Sequence, residues 1–176
     1  MTDQTYRPQF PLAMDVPQGD VVKVTQTMVN EAAAMSRESP RKRIILPFHA
    51  SDANVLHRMF NVVQKGTYIR AHRHRTPPKD ETLVVLQGGI QVFIFDDAGQ
   101  IAQTFPVKAG TDVFGVDIKA GICHTFAVME NDTVVFEVKP GPYNPKTDKD
   151  FASWAPEEGT SEAAEYLADL YKHVGL

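Results

Sequence analysis

The sequence predicts an all-β fold, an antiparallel sandwich or barrel, on three observations. Between Ile44 and Lys139, short runs rich in Val, Ile, Phe and Thr are divided by turn-forming residues. The intervals between these runs leave no room for the crossover helices that a parallel sheet requires. Helical periodicity is confined to two segments, one on each side of the strand-like region.

Taken in order, residues 1–20 carry Pro8, Pro11, Pro17 and Gly19 and read as an irregular arm, and residues 21–24 as a short strand. Thr25 can cap a helix whose apolar residues Met28, Ala32 and Met35 recur at spacings of four and three. Ser39-Pro40 ends it, because the residue before a proline is pushed out of the helical region. Strands are expected near 44–48, 58–63, 66–74, 81–87, 90–95, 101–105, 111–116, 122–129 and 133–139. Gly88-Gly89 suits a two-residue hairpin turn, where positive φ is required. Asp96-Asp97-Ala98-Gly99 and Glu130-Asn131-Asp132 supply further turns, their short polar side chains bonding to nearby backbone. The stretch from Pro140 to Pro145 is rigid and not a strand. Thr160 or Ser161 then caps a last helix, with Glu162 and Glu165 at its start, Lys172 and His173 in its last turn and Gly175 past its end. That charge order matches the helix dipole, and Ala163, Leu167, Leu170 and Val174 form the buried stripe. The expected organisation is one domain: arm and helix over 1–43, barrel over 44–145, crossing segment and helix over 146–176.

Composition narrows the function classes. The 176 residues, 43% of them hydrophobic, suffice to bury a core without disulfide staples. Eighteen Lys and Arg against 22 Asp and Glu leave a net charge of −4, not the clustered cationic excess of a nucleic-acid-binding domain. The cations between Arg37 and Arg43 read as a solvated helix end. No apolar run approaches the ~20 residues of a membrane helix. The first ten residues lack the basic-then-apolar layout of a secretory signal. One cysteine, Cys123, excludes an internal disulfide framework. The expectation is a cytoplasmic protein that takes a small molecule, not nucleic acid or membrane, as its partner.

The chemistry concentrates in His72-Arg73-His74, followed by Glu81 and later by His124. In a strand, side chains at i and i+2 leave the same face about 7 Å apart, so His72 and His74 can aim at one point. Glu81, on the next strand of the hairpin, can add a carboxylate, and His124, far along the chain, can close the shell. Three neutral imidazoles and one carboxylate suit a divalent transition metal: Zn, Fe, Mn, Ni or Cu. Such a set usually leaves a coordination position open for chemistry. The alternative is a solvated basic edge strand, since Arg70, Arg73 and Arg75 surround the pair.

The spacing Gly66-X5-His72-X-His74-X6-Glu81-X6-Gly88 resembles the first motif of the cupin family, and Gly121-Ile122-Cys123-His124 carries the core of the second. The interval between His74 and Glu81 is longer than usual and holds Pro77-Pro78; Lys119 and Val128 stand where the second motif usually has proline and asparagine. More specifically, the region from Ser39 to Pro156 resembles the WbuC family of cupin-fold metalloproteins, bacterial proteins often associated with surface-polysaccharide gene sets. The segments that carry this likeness are Ser39 to Arg43, Tyr68 to His74, Phe95 to Gly99, Phe136 to Tyr143 and Trp154 to Glu158. The resemblance implies a cupin-type double-stranded β-helix, or jelly-roll barrel, flanked by N- and C-terminal helices and holding one metal ion. It also implies pairing as a homodimer and a link to polysaccharide biosynthesis, and it names no reaction.

Further pocket candidates follow from strand parity. If His72 and His74 point inward, so should Tyr68 and Arg70, and Arg70 could hold a carboxylate or phosphate bidentately. Glu137 and Lys139 share one strand face opposite Val134, Phe136 and Val138. They read either as a structural ion pair or as polar groups at the pocket rim, with Glu137 the best candidate for a general base. Cys123 should face away from the ligands as a small buried hydrophobe. His49, His57 and His173 lack partners at useful spacing, and Trp154 should anchor the C-terminal crossing. Two function classes compete. The first is a metalloenzyme acting on a polar substrate such as a sugar or sugar nucleotide, as a dioxygenase with iron or a hydrolase or isomerase with zinc. The second is a binding or regulatory module without turnover.

Overall fold

The computed structural model describes residues 10–176; the first nine residues of the expected arm lie outside them. The elements, in chain order, are α1 (Gln26–Glu38), β1 (Arg43–Pro47), β2 (Leu56–Val63), β3 (His72–Arg73), β4 (Glu81–Gln87), β5 (Gly89–Phe95), β6 (Ile101–Lys108), β7 (Gly115–Ile118), β8 (Cys123–Val128), β9 (Thr133–Pro140), β10 (Asp150–Phe151) and α2 (Ser161–His173). Two five-stranded antiparallel sheets result, one ordered β1-β2-β9-β4-β7 and the other β10-β3-β8-β5-β6. Their inner faces meet in a shared core that joins Leu83, Val85 and Val135 of the first sheet to Ile90, Val92 and Val128 of the second. This is the jelly-roll barrel.

Both helices cover the outer faces. Thr25 caps α1, its hydroxyl accepting from the Met28 amide, and Ser39 ends it. Ala32 and Ala33 of α1 pack on Ile44, Leu46, Phe60 and Val62 of the first sheet. Thr160 caps α2, whose Ala163, Leu167 and Leu170 pack on Phe93, Phe95, Cys123 and Ala127 of the second. Each outer face is thus apolar although it lies away from the barrel interior. This explains why Val134 and Phe136 face outward, toward α1, while Glu137 and Lys139 face in. Among the described arm residues, Leu12 to Met14 run beside β1 through Met14 N to Ile45 O (2.8 Å) and an isolated parallel bridge from Ala13 to Ile45. That contact covers an otherwise open strand edge.

Several local expectations change. Residues 21–24 are not a strand, and only His72–Arg73 of the expected 66–74 strand pairs with neighbours. Gly88-Gly89 is not a hairpin turn, because β4 and β5 lie in different sheets. It is the corner where the chain crosses between them, and a Cβ on Gly88 (φ 72°) would lie 2.3 Å from Thr133 Oγ1. Trp154 packs on Phe95 (centroids 4.9 Å) and on Tyr166, pinning the crossing segment to the second sheet as expected. No helix among the described residues is long and apolar enough to cross a membrane.

Candidate metal centre

His72, His74, Glu81 and His124 converge in the barrel: all four are buried, and one donor atom from each lies within 4.8 Å of the others. His72 and His124 are direct cross-strand partners in the antiparallel β3–β8 pair, with ring centroids 4.8 Å apart. His74 follows two residues on, on the same face, its ring edge-on to that of His72 (centroids 5.1 Å). Glu81 does not come from a hairpin partner. It begins β4, in the opposite sheet, and the long loop holding Pro77-Pro78 carries the chain across the barrel so that the carboxylate meets the histidines from the facing wall.

All three rings are oriented in the same way. Nδ1 of His72 donates to the Arg70 carbonyl (2.9 Å), Nδ1 of His124 to the Ile122 carbonyl (2.9 Å), and Nδ1 of His74 to the Asp148 carbonyl. A carbonyl oxygen only accepts, so each Nδ1 holds a proton and each Nε2 turns its lone pair inward. His124 Nε2 then stands 3.0 Å from Glu81 Oε2 and His74 Nε2 3.7 Å from the same oxygen. His74 Nε2 is buried without a hydrogen-bond partner. Acceptors gathered this closely need a cation among them, either a proton or a metal ion. The three-nitrogen, one-carboxylate set, with backbone carbonyls fixing the tautomers from behind, fits a divalent transition metal.

The electrostatics agree. Burial, reinforced by Lys149 and His124, holds the His72 pKa well below its ordinary value, which keeps the ring neutral. Burial alone would push Glu81 up. A proton shared with His124 or His74, together with Lys139, outweighs it and holds the carboxyl well below the usual range. Behind this layer, Asp148 is clamped by Lys79 Nζ (2.7 Å) and Lys139 Nζ (3.3 Å) while its carbonyl receives His74. Lys79 and Asp148 side chains are each only 2% exposed, so this is a buried ion pair attached to a candidate ligand.

A cavity of about 540 Å³ opens beside the cluster. Arg70, Glu137 and Lys139 line it with His72, Glu81 and His124. Lys139 stands 2.9 Å from Glu137 Oε1 and Asn61 donates to Glu137 Oε2 (2.5 Å), so the ion pair and the pocket lining are one feature. Burial raises the Glu137 pKa; Lys139 opposes this and Glu81 adds to it. Lys139 itself, although burial disfavours its charge, stays protonated through Glu137, Glu81 and Asp148. The Arg70 guanidinium lies over the Phe151 ring (5.3 Å) and donates to the Ala152 carbonyl (3.2 Å).

Tyr68 is not brought to this cavity. It packs with α2 residues on the outer side of the second sheet, and its hydroxyl donates to the Pro156 carbonyl (2.9 Å). Parity fails because residues 64–71 are irregular, so the two-residue alternation that orders His72 and His74 does not extend back to it. Cys123, next to His124, faces the outer cluster, and burial raises its thiol pKa. His49 and His57 do find a partner: each other, stacked at 4.1 Å on the cavity wall. Asp148, Lys79, Asn61 and Lys149 carry no motif, and only the folded chain brings them to the site.

Comparison with known proteins gives the same fold. Residues 24–107 match a family described as a domain of unknown function, DUF6016. No curated protein matches the sequence. The capsular polysaccharide assembling protein CapF from Staphylococcus aureus is similar at 18% identity and a TM-score of 0.50, over 61% of this chain and 31% of that one. The chain therefore spans less than a third of CapF. BH2720 from Bacillus halodurans is similar at 18% identity and a TM-score of 0.50, over 77% of this chain and 92% of that one. In sheet order, in helix placement and in these likenesses, the chain is a cupin-fold protein.

Proposed function

We propose that this chain is a WbuC-type cupin metalloprotein: a divalent transition metal sits on His72, His74, Glu81 and His124, and a small polar molecule, a sugar or sugar nucleotide, is processed beside it. One observation carries the reading: three histidines proton-fixed at Nδ1 by backbone carbonyls turn three Nε2 lone pairs onto one buried carboxylate. The segments Ser39 to Arg43, Tyr68 to His74 and Phe136 to Tyr143 support the WbuC assignment, and the role of CapF in capsular polysaccharide assembly supports the substrate class. The ion would supply Lewis acidity toward a substrate oxygen. The protein's own groups do the rest. Arg70 orients the substrate, Leu83 and Phe126 close the apolar side of the cavity against water, and Glu137, its pKa raised by burial and its carboxylate held beside Lys139, is placed to take up a proton.

Metal analysis of protein purified without an affinity tag tests this. Wild type should hold close to one equivalent of a single transition metal. His72→Ala with His74→Ala should lose it while keeping the far-ultraviolet circular dichroism of the wild type. Less than ~0.2 equivalents in wild type after reconstitution contradicts the metal reading. If the metal is present but no sugar or sugar phosphate is turned over, a binding module remains.

A further inference from the structure

Charge around the cavity is arranged in two classes. Most charged side chains that line it are neutralised by a neighbour: Lys139 by Glu137 and Asp148, and Arg43 by Glu158, whose two oxygens both lie 2.7 Å from one guanidinium nitrogen. Arg41 and Lys149 are different. Both line the cavity, both are half-buried, and among the described residues neither side chain is joined to a carboxylate or to any other acceptor. Arg70 lies between the classes: its Nη1 is 3.8 Å from the exposed Glu157, but its Nε is buried without a partner. A buried N–H donor without an acceptor is costly, as is a half-buried cation without a counter-charge. Three such groups on one cavity mark where a ligand's oxygens belong.

The sum of charges points the same way. Five cationic and five carboxylate side chains among the described residues line the cavity, so its wall is neutral before any metal is counted. A divalent ion on the histidine cluster leaves an excess of two positive charges, which a dianion would balance.

We propose that Arg41, Arg70 and Lys149 form an anion subsite beside the metal centre, and that the molecule it takes is phosphorylated. A phosphate presents several acceptor oxygens at once, which suits a guanidinium Nε–H, a second guanidinium and an ammonium approaching from different parts of the wall. Burial, with Lys139 next, lowers the Lys149 pKa, and burial, with Arg43 next, lowers that of Arg41. Added negative charge relieves both. The proposal rests on the metal reading only for the excess charge; the unpaired cations stand without it.

The test is titration of metal-reconstituted protein with glucose 1-phosphate and with inorganic phosphate, followed by calorimetry and by ³¹P line broadening, with glucose as the neutral control. Glucose 1-phosphate and phosphate should bind, with glucose weaker than glucose 1-phosphate by roughly tenfold or more. Arg41→Gln with Lys149→Gln should weaken glucose 1-phosphate by a similar factor while the metal content stays at the wild-type value. Arg37→Gln, on a remote exposed pair with Asp132, should change nothing. Equal binding of glucose and its phosphate, unchanged binding by the double variant, or no phosphate binding by wild type overturns the proposal. Repeating the titration on metal-free protein separates the two readings. Phosphate binding that survives there and falls in the double variant keeps the anion subsite even if the metal reading fails. Should the double variant misfold, Lys149→Met alone must show the same direction of change.

Discussion

The inner faces of the same strands serve two ends of the barrel differently. Along β4, inward Glu81 gives way to Leu83 and Val85; along β8, His124 gives way to Phe126 and Val128; along β9, Lys139 and Glu137 give way to Val135. Strand alternation decides only which residues face in. The identity of those inward residues divides the barrel into a dry, close-packed half and a half of buried charge held by pairing. The packed half supplies stability. The charged half is expensive to bury, and it is tolerable because most groups in it have a partner or, at the cluster, a place for a cation.

That contrast can be broken most strongly in the packed half. Ile90→Ala should cost about 2–5 kcal/mol, since Ile90 is fully buried among residues of both sheets. Denaturant unfolding checks it, and the metal content of the folded fraction should stay unchanged. In the charged half, Lys79→Met removes one clamp from Asp148 while Lys139 remains at 3.3 Å. The loss should therefore fall below the about 3–5 kcal/mol of an unpaired buried charge. Because Asp148 also receives His74, metal affinity should fall about 10–100-fold in a competition assay with a chelator. A finer cut separates neighbours: His124→Ala should abolish the metal, whereas Cys123→Ala, one residue away on the outer face, should leave it.

The smallest effect lies outside both halves. The hydrogen bond from Arg37 holds the Asp132 pKa below its ordinary value, against burial and with help from Gln64. A depressed carboxyl stabilises the fold above its unfolded pKa, and that stability is lost as pH falls through the folded value. Arg37→Ala should accordingly lower Tm slightly near neutrality, and the difference should vanish in acid below the ordinary carboxylate range. Arg37 is half-exposed, so the shift is small.

Most of the fold was legible because its signals are local. Turn chemistry and two-residue alternation give the strands, and Thr25 and Thr160 mark both helix starts by their own hydrogen bonds. His72 and His74 were legible for the same reason, being two residues apart on one strand face. What escaped was set by distant packing. Gly88-Gly89 looks like a hairpin turn, and only the placement of β5 in the other sheet makes it a corner. Tyr68 follows the parity of a strand that stops short of it, and its side chain goes to α2. The motif points to Glu81 on a hairpin partner, and only the sheet order places it on the facing wall. His49 and His57 meet across eight positions, and Lys79 meets Asp148 across 69, with no pattern in the intervening chain to announce either.

The central claim is a single ion shared by four side chains. Anomalous diffraction from crystals of metal-reconstituted protein tests it most directly. The account predicts one strong peak about 2.0–2.2 Å from Nε2 of His72, His74 and His124 and from a Glu81 oxygen. A peak elsewhere, or none at the absorption edge of any first-row metal supplied, would contradict it.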